Sequence, residues 1–378
     1  MNPLKFITRH YVIIIITFFF ILLIANFIYV ASKQWQVYIR PFYPKRYLVL
    51  KGLFDQSQYV KAYSPIIIPD EYYYALAGWN YLHSQDPILF NGEQPPLGKY
   101  FVSLTISLFN NETLTGPIFN LLSLLALFLL GSLVLQSKIW SLVMTSAFSF
   151  EKIFQVQMIY MPLLDNIQLF FILLSFYFFL IWWRGKLSIL PAFIFLGLVA
   201  SVKFWITAFV IYLAWLLAVF LYKAKSKLIF LIYTPVSLLV LLISYIPSYI
   251  QGDSFRRILG VQKYIYVYHS GKFHFDPLAF FDLLLFNRWH VTWENTIKPS
   301  VDFQITWPIL LILSIFAIYK IFKKQKRSKD KKLNVIALWF VMYVAFLFFG
   351  TILARYLIPV LPAMYLLSFY IIKDFVKK

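Results

Sequence analysis

The sequence predicts an all-α, polytopic integral membrane protein with about ten transmembrane helices. Of the 378 residues, 61% are hydrophobic, and the mean hydropathy is +0.74, whereas a soluble globular chain is nearer half apolar. The apolar residues are gathered into long runs, beginning with residues 11–30, and about twenty such residues suffice to span a bilayer. Basic residues cluster between these runs. We therefore expect one integral-membrane domain over residues 1–378.

Ten predicted helices cross the bilayer, and one long apolar segment supplies two of them. As a single helix, residues 187–222 would measure about 50 Å, too long for a hydrocarbon core of about 30 Å. Both ends of this segment are basic, so we interpret it as two short helices that meet near Lys203 and return the chain to the same side. The other predicted spans are residues 11–30, 117–135, 139–158, 167–183, 228–250, 305–319, 333–351 and 356–372.

The basic residues indicate how these spans are oriented. In this arrangement only Asp330 and Asp374 among the fifteen acids face the cytoplasm, and the cytoplasmic segments carry most of the net charge of +20. Membrane proteins favour positive residues on the cytoplasmic side. We therefore expect a multi-pass cell-membrane protein with cytoplasmic N- and C-termini. Its charge indicates contact with membrane lipids rather than with nucleic acid.

The first polar segment, residues 31–111, is then outside and contains the two motifs that suggest a function. Asp70 and Glu71 follow a proline at the start of a predicted interfacial helix over residues 70–83. An acid at this position is typical of a helix cap, and it could equally act as a base at the bilayer surface. A second predicted interfacial helix, over residues 97–109, begins within the run Asn91-Gly92-Glu93-Gln94-Pro95-Pro96-Leu97-Gly98-Lys99.

Composition excludes several kinds of site. The chain has no cysteine, which rules out disulfides, thiol nucleophiles and thiolate metal centres. Its five histidines form no pair at helical metal-ligand spacing, and a metal site usually needs several such ligands. The sequence therefore offers no thiolate or helical histidine metal site.

Together, the acid pair and the Pro-Pro-Leu-Gly-Lys run resemble the first outer loop of the protein O-mannosyltransferases. That family consists of GT-C glycosyltransferases that use dolichyl phosphate mannose. Gln94 stands where the family usually has histidine, and Tyr160 where it usually has arginine. Four further motifs follow in the family's order: Leu163-Leu164-Asp165; residues 197–205 around Lys203; Tyr268-His269-Ser270-Gly271, followed by Trp289 and Trp293; and Arg355-Tyr356-Leu357-Ile358-Pro359-Val360-Leu361-Pro362. The resemblance therefore implies a GT-C-type fold over nearly the whole chain. It also implies that no metal is needed, so we expect no metal and no cofactor.

Transfer of a sugar from a lipid phosphate needs only a few side chains. A carboxylate takes the proton of the acceptor hydroxyl, and cations stabilise the departing phosphate. We predict that Asp70 is this base and that Glu71 is its partner at the catalytic site, where it positions the substrate or the loop. The predicted residues that bind the donor phosphate are Arg355, Lys203 and Lys99. The predicted substrate-binding residues are Asp165, Gln94, His269 and Trp293.

Simpler structural roles remain open for some of these residues. Lys203 is costly in lipid and is therefore a functional candidate, but a lysine near a helix end can also extend its ammonium group to the bilayer surface. Asp165 is also suited to cap the fourth span. Glu151 and Lys152 are consistent with a local ion pair at the membrane boundary.

The predicted function is the transfer of a hexose, mannose by the resemblance, from a polyprenyl or dolichyl phosphate. The acceptor is a hydroxyl group, as on protein serine or threonine, and the reaction is an inverting displacement on the outer membrane face. One alternative is a GT-C transferase that glycosylates a lipid or a cell-wall glycan, like the aminoarabinose transferases. The other is a transporter for a lipid-linked sugar, in which buried charges also flank broken helices. Only one broken helix is evident in the sequence, which favours a transferase.

Overall fold

The structure is a computed structural model that describes residues 3–61, 63–159, 162–222, 227–271, 274–291, 296–323, 331–350 and 352–376. Within these ranges the chain is almost entirely helical. The helices are α1 Pro3–Ser32, α2 Trp35–Tyr38, α3 Lys45–Asp55, α4 Asp70–Leu82, α5 Leu97–Phe109, α6 Thr115–Leu135, α7 Lys138–Phe148, α8 Lys152–Ile159, α9 Asp165–Trp183, α10 Leu190–Val202, α11 Ile206–Leu221, α12 Lys227–Ile243, α13 Ile246–Ile250, α14 Phe255–Ser270, α15 Pro277–Phe286, α16 Thr306–Lys323, α17 Lys331–Leu347 and α18 Leu361–Val376. Strands β1 Trp289–Val291 and β2 Thr296–Lys298 form an antiparallel hairpin, and a short 3-10 helix covers Ala354–Leu357.

Four of the described helices are long and apolar enough to cross a membrane: α1 from Tyr11 onward, α6, α9 and α16. Several other apolar helices are shorter, among them α10, α11 and α12. This is the architecture of a polytopic membrane protein, as predicted. The two helices predicted for the first outer segment are present as α4 and α5.

The long apolar segment is divided where the sequence predicts. Helix α10 begins with a proline in its first turn, where the missing N–H costs no hydrogen bond. It ends at Val202, because Lys203 is extended, with φ −141° and ψ −165°. Helix α11 starts three residues later, at Ile206. The break places the Lys203 side chain between two helix ends.

Three other features differ from the sequence prediction. The predicted third span is divided into α7 and α8, and the predicted seventh span into α12 and α13. The β1–β2 hairpin adds a small strand element to a fold expected to be all-α. The sequence prediction did not include these breaks, because it was based on the length of the apolar runs.

The local ion pair that the sequence left open for Glu151 and Lys152 is not formed. Glu151 is buried and accepts hydrogen bonds from Thr306 Oγ1 at 3.0 Å, Trp307 Nε1 at 2.9 Å and Tyr365 OH at 2.5 Å. Neutral donors stabilise the carboxylate where water is excluded. Glu151 therefore connects the start of α8 with α16 and α18.

Two packed regions hold the helices in place. The main core runs through α6, α9, α10, α11, α17 and α18, where Phe176 stacks on Trp339 at 4.0 Å and Phe179 on Trp215 at 4.4 Å. Each such aromatic pair adds about 0.5–1.5 kcal/mol beyond simple burial. A smaller cluster joins the first outer segment to α4 and α5 through Phe42, Leu50, Ala75, Leu76, Val102 and Ile106. This second cluster holds the acid pair and the Pro-Pro-Leu-Gly-Lys run as one unit.

Candidate active site

A cavity of about 520 Å³ lies where the start of α4, the start of α9 and the α10–α11 break converge. The last turns of α14 and α17 and the 3-10 helix complete its wall. Polar and charged side chains from distant parts of the chain face this space. They include Tyr59, Asp70, Glu93, Gln94, Asp165, Lys203, His269, Tyr343 and Arg355.

Asp70 is paired with Arg355 across the cavity wall. Pro69, with φ −74° and ψ 160°, is extended and occupies the N-cap position, so Asp70 is the first residue of α4. The Asp70 Oδ2 accepts a hydrogen bond from Arg355 Nη2 at 2.7 Å. The two side chains are 34% and 28% exposed, so both are accessible to a ligand.

Asp165 and Lys203 form a second pair facing the same cavity. Leu164 is the N-cap residue of α9, and Asp165 is the first residue of the helix. Lys203 Nζ lies 2.5 Å from Asp165 Oδ1, and the side chains are 14% and 5% exposed. The lysine therefore points into the protein rather than to the bilayer surface. The other carboxylate oxygen, Oδ2, is buried without a hydrogen-bond partner among the described residues.

The two cations are brought together by one aromatic ring. Lys203 Nζ lies 5.7 Å and Arg355 Cζ 5.9 Å from the centre of the Tyr356 ring. Within the part of the chain that the structure describes, Arg355 Nε is buried without a partner. A buried donor of this kind is rare in native structures. It indicates a place where an anionic ligand could bind.

Lys99 is buried behind the cavity and does not line it. Its Nζ donates to Asn91 O at 3.1 Å, Asn91 Oδ1 at 2.8 Å and Gln94 O at 2.8 Å. An ammonium group has three hydrogens, and all three are used by the turn that precedes α5. In this structure Lys99 therefore positions the turn, in contrast to its predicted contact with the donor phosphate.

Gly98 allows the Pro-Pro-Leu-Gly-Lys run to lie close to the Asp165–Lys203 ion pair. A Cβ at this position would lie 2.9 Å from Leu164 Cδ2 and 3.0 Å from Val202 O. These two residues directly precede Asp165 and Lys203. Only a glycine allows the start of α5 to approach them this closely. The motif thus sets the distance between the first outer segment and the second ion pair.

The remaining predicted site residues differ in their placement. Gln94 and His269 line the cavity, and His269 Nε2 lies 3.2 Å from Glu93 O. Glu71 is half-buried and does not line the cavity. Burial raises the pKa of Glu71 above its ordinary value, opposed by its own backbone N–H and by Arg355. Trp293 lies outside the described residues.

Sequence reasoning missed several residues of the cavity wall. Glu93 lies inside the recognised run but carried no predicted role, and Tyr59, Gln168 and Tyr343 lie outside every motif. The position of Glu93, two residues before the Pro-Pro pair, is the sequence feature that could have indicated a role in the site. No local pattern distinguishes Tyr343 from the many other aromatic residues of its helix.

Replacing Lys99 with methionine tests the position of this lysine. We expect turnover to fall about tenfold or more, because the turn loses three hydrogen bonds to buried groups. Binding of a labelled polyprenyl phosphate in nanodiscs should change by less than about twofold, since the ammonium group does not face the cavity. Lys51→Met, at an exposed lysine, is the matched control. A large loss of polyprenyl phosphate binding in Lys99→Met would instead support the predicted phosphate role.

Comparisons with known proteins identify the fold. No family model matches the chain, and no curated protein matches it. The crystal structure of ArnT from Cupriavidus metallidurans bound to undecaprenyl phosphate superposes on it with a TM-score of 0.53 at 14% sequence identity. The match covers 93% of this chain and 60% of ArnT, so the chain spans less than two thirds of that protein. The chain therefore has the GT-C fold of a polytopic membrane protein.

Proposed function

We propose that this protein is a membrane glycosyltransferase that moves a hexose from a polyprenyl phosphate to an acceptor hydroxyl on the outer membrane face. The resemblance to the O-mannosyltransferases suggests mannose as the sugar, dolichyl phosphate as one possible carrier and protein serine or threonine as acceptor. The observation that carries the proposal is the pair of carboxylate–cation contacts, Asp70–Arg355 and Asp165–Lys203, that face one cavity. A carboxylate and two cations are what the reaction needs.

The proposal assigns the donor phosphate to the cations near Tyr356. A phosphate oxygen would take up the unused Nε–H of Arg355 and share the Lys203 ammonium group. Charge-assisted hydrogen bonds of this kind strengthen as negative charge develops on the leaving phosphate. The bound undecaprenyl phosphate of ArnT supports a polyprenyl phosphate as the ligand class of this fold.

Donor binding would also prepare the base. In the structure the Asp70 carboxylate is held by Arg355. A phosphate that draws the guanidinium toward itself weakens that contact and leaves Asp70 free to accept a proton. In the proposed step the acceptor oxygen attacks the anomeric carbon as its proton passes to Asp70. The bond between that carbon and the phosphate oxygen breaks, and polyprenyl phosphate leaves with the bonding electrons.

The lipid tail would leave the cavity along its apolar side. That side is formed by Phe346, Leu347, Phe349, Ile352 and Leu353, at the end of α17 and in the segment that follows. Gly350 lies among them with φ +112°, a conformation that other residues rarely adopt. Its N–H donates to His274 O at 2.7 Å, which fixes this wall against the segment before α15.

A transfer assay tests the proposal. Purified protein is incubated with labelled undecaprenyl-phosphate mannose and a panel of serine- and threonine-containing peptides, glycolipids and cell-wall glycans. We expect label on a peptide hydroxyl. Label on a lipid or glycan would instead favour the alternative transferase. Movement of intact donor across a vesicle membrane, with the sugar–phosphate bond unbroken, would overturn the proposal in favour of a transporter.

Labelling with a membrane-impermeant maleimide tests the proposed orientation. The chain has no cysteine, so single cysteines can be placed at Gln85, which is exposed beyond α4, and at Lys186, which is exposed beyond α9. We expect Gln85→Cys to react on intact cells and Lys186→Cys to react only after permeabilisation, because the positive residues near Arg184 favour the cytoplasm. The reverse pattern would place the cavity on the cytoplasmic side.

A further inference from the structure

The turn from Asn91 to Gln94, here called the pinned turn, is held in place more firmly than a surface loop. Asn91 has φ +59° and donates its N–H to Tyr73 OH at 2.9 Å. The Lys99 side chain donates three hydrogen bonds to Asn91 and Gln94, the two end residues of the turn. His269 Nε2 lies 3.2 Å from Glu93 O on the other side. Groups fixed by their surroundings in this way are suited to recognition, since little entropy is lost when a ligand binds.

The pinned turn presents Glu93 to the cavity as a carboxylate that, among the described residues, has no cation within hydrogen-bond distance. Asp70 and Asp165 each have a cation within hydrogen-bond distance. Among the described residues, Glu93 has instead one neutral partner, the Asn91 side-chain amide, which donates to Oε1 at 2.6 Å. The nearby Lys99 gives all its hydrogens to neutral oxygens. The second carboxylate oxygen of Glu93 is thus available to a hydrogen-bond donor in the cavity.

The surroundings of Glu93 have the chemistry of a carbohydrate site. Gln94, the next residue, lines the same wall, and its Oε1 is buried without a partner in the described parts of the chain. The rings of Tyr59 and Tyr268 line the cavity beside them. Tyr59 lies near both Asp70 and Glu93, since both carboxylates add to the effect of burial in raising its pKa. Sugar hydroxyls donate to carboxylates and amide oxygens, and the C–H faces of sugars pack on aromatic rings.

We propose that Glu93 and Gln94 form the sugar-binding subsite of the cavity and accept hydrogen bonds from ring hydroxyls of the donor's hexose. This inference rests on the proposed function and adds the residues that distinguish a sugar-bearing lipid phosphate from the bare lipid phosphate. An ionised carboxylate is an acceptor only, so Glu93 would favour a sugar that offers hydroxyl donors at this wall. Arg355 and Lys203 would bind the phosphate whether or not a sugar is attached.

Two probes that differ only in the sugar test this inference. Binding of labelled undecaprenyl phosphate and of undecaprenyl-phosphate mannose is measured for the full-length protein in nanodiscs. We expect Glu93→Gln to raise the Kd of the mannose-bearing probe about tenfold or more, because it removes a charge-assisted acceptor. The Kd of the bare phosphate should change by less than about twofold. Glutamine keeps an oxygen for the Asn91 amide, so the turn should stay folded.

Asp55→Asn is the matched control, since this exposed carboxylate in the same outer segment pairs only with Lys51 among the described residues. It should change neither Kd. If Glu93→Gln weakens the binding of both probes equally, the effect on the cavity is general and the inference is overturned. It is also overturned if the Kd of neither probe changes. If the wild-type protein binds both probes with the same Kd, the sugar subsite is refuted, while binding of the lipid phosphate is supported. If it binds neither probe, the proposed function fails and the inference with it.

Discussion

Asp70→Asn is expected to lower turnover by about 10²–10⁴-fold, the usual contribution of a general base. Asparagine is close to aspartate in size, and Pro69 rather than Asp70 is the N-cap residue of α4, so this helix should form normally. It cannot take a proton from the acceptor. Donor binding should remain or tighten slightly, because Arg355 would lose its charged partner at 2.7 Å and be free to contact the phosphate. Transfer rates and the Kd of undecaprenyl phosphate, measured on the same preparation, separate the two effects.

Glu71→Gln is the matched control for this prediction. Glu71 is the adjacent acid in the first turn of α4, but it does not line the cavity. We therefore expect a milder loss of turnover. If Asp70→Asn keeps most of its turnover while Glu71→Gln loses it, the two roles are reversed. If both variants remain active, Asp165 becomes the next candidate for the base.

Arg355→Ala is expected to weaken binding of undecaprenyl phosphate by roughly thirtyfold. A hydrogen bond to a charged group contributes about 2 kcal/mol, and about 1.4 kcal/mol corresponds to tenfold in Kd. Transfer should fall further, since the charge of the guanidinium group matters most when the phosphate leaves. Equilibrium binding and single-turnover transfer measure the two losses. Lys203→Ala should show the same pattern, because its ammonium group lies over the same Tyr356 ring.

Arg257→Ala is the control, because this arginine is half-exposed, pairs with Asp253 and lies outside the cavity wall. Its donor affinity should equal that of the wild type. The Asp70→Asn/Arg355→Ala double variant tests whether an unpaired Asp70 carboxylate contributes to the loss. If Arg355→Ala and Lys203→Ala both bind undecaprenyl phosphate normally, the phosphate does not bind at these cations.

The sequence predicts those parts of the fold that depend on local patterns. Residues 187–222 are too long for one crossing, and the basic residues at both of their ends favour the same side of the membrane. Together these two features indicate the broken helix at Lys203. A proline followed by two acids predicts the start of α4 at Asp70, where the structure has it. Such features depend on neighbouring residues alone.

The partners of the site residues could not be predicted in this way. Nothing near Asp70 indicates that its cation is Arg355 rather than Lys203 or Lys99, since the choice depends on how distant helices pack. The local ion pair left open for Glu151 and Lys152 does not form for the same reason, since the partners of Glu151 lie in α16 and α18. The burial of Lys99 also depends on tertiary packing, because only the folded turn supplies its three acceptors.

The Asp70–Arg355 contact joins residues 285 positions apart, which has a consequence for how the protein is made. A chain that grows at 5–20 residues per second exposes the acid roughly 15–60 s before its arginine is synthesised. During that interval the early helices can already be in the membrane, but the Asp70 carboxylate lacks its partner. A chain that stops before Arg355 would leave Asp70 without this cation, so the contact can form only after the segment between α17 and α18 has been synthesised.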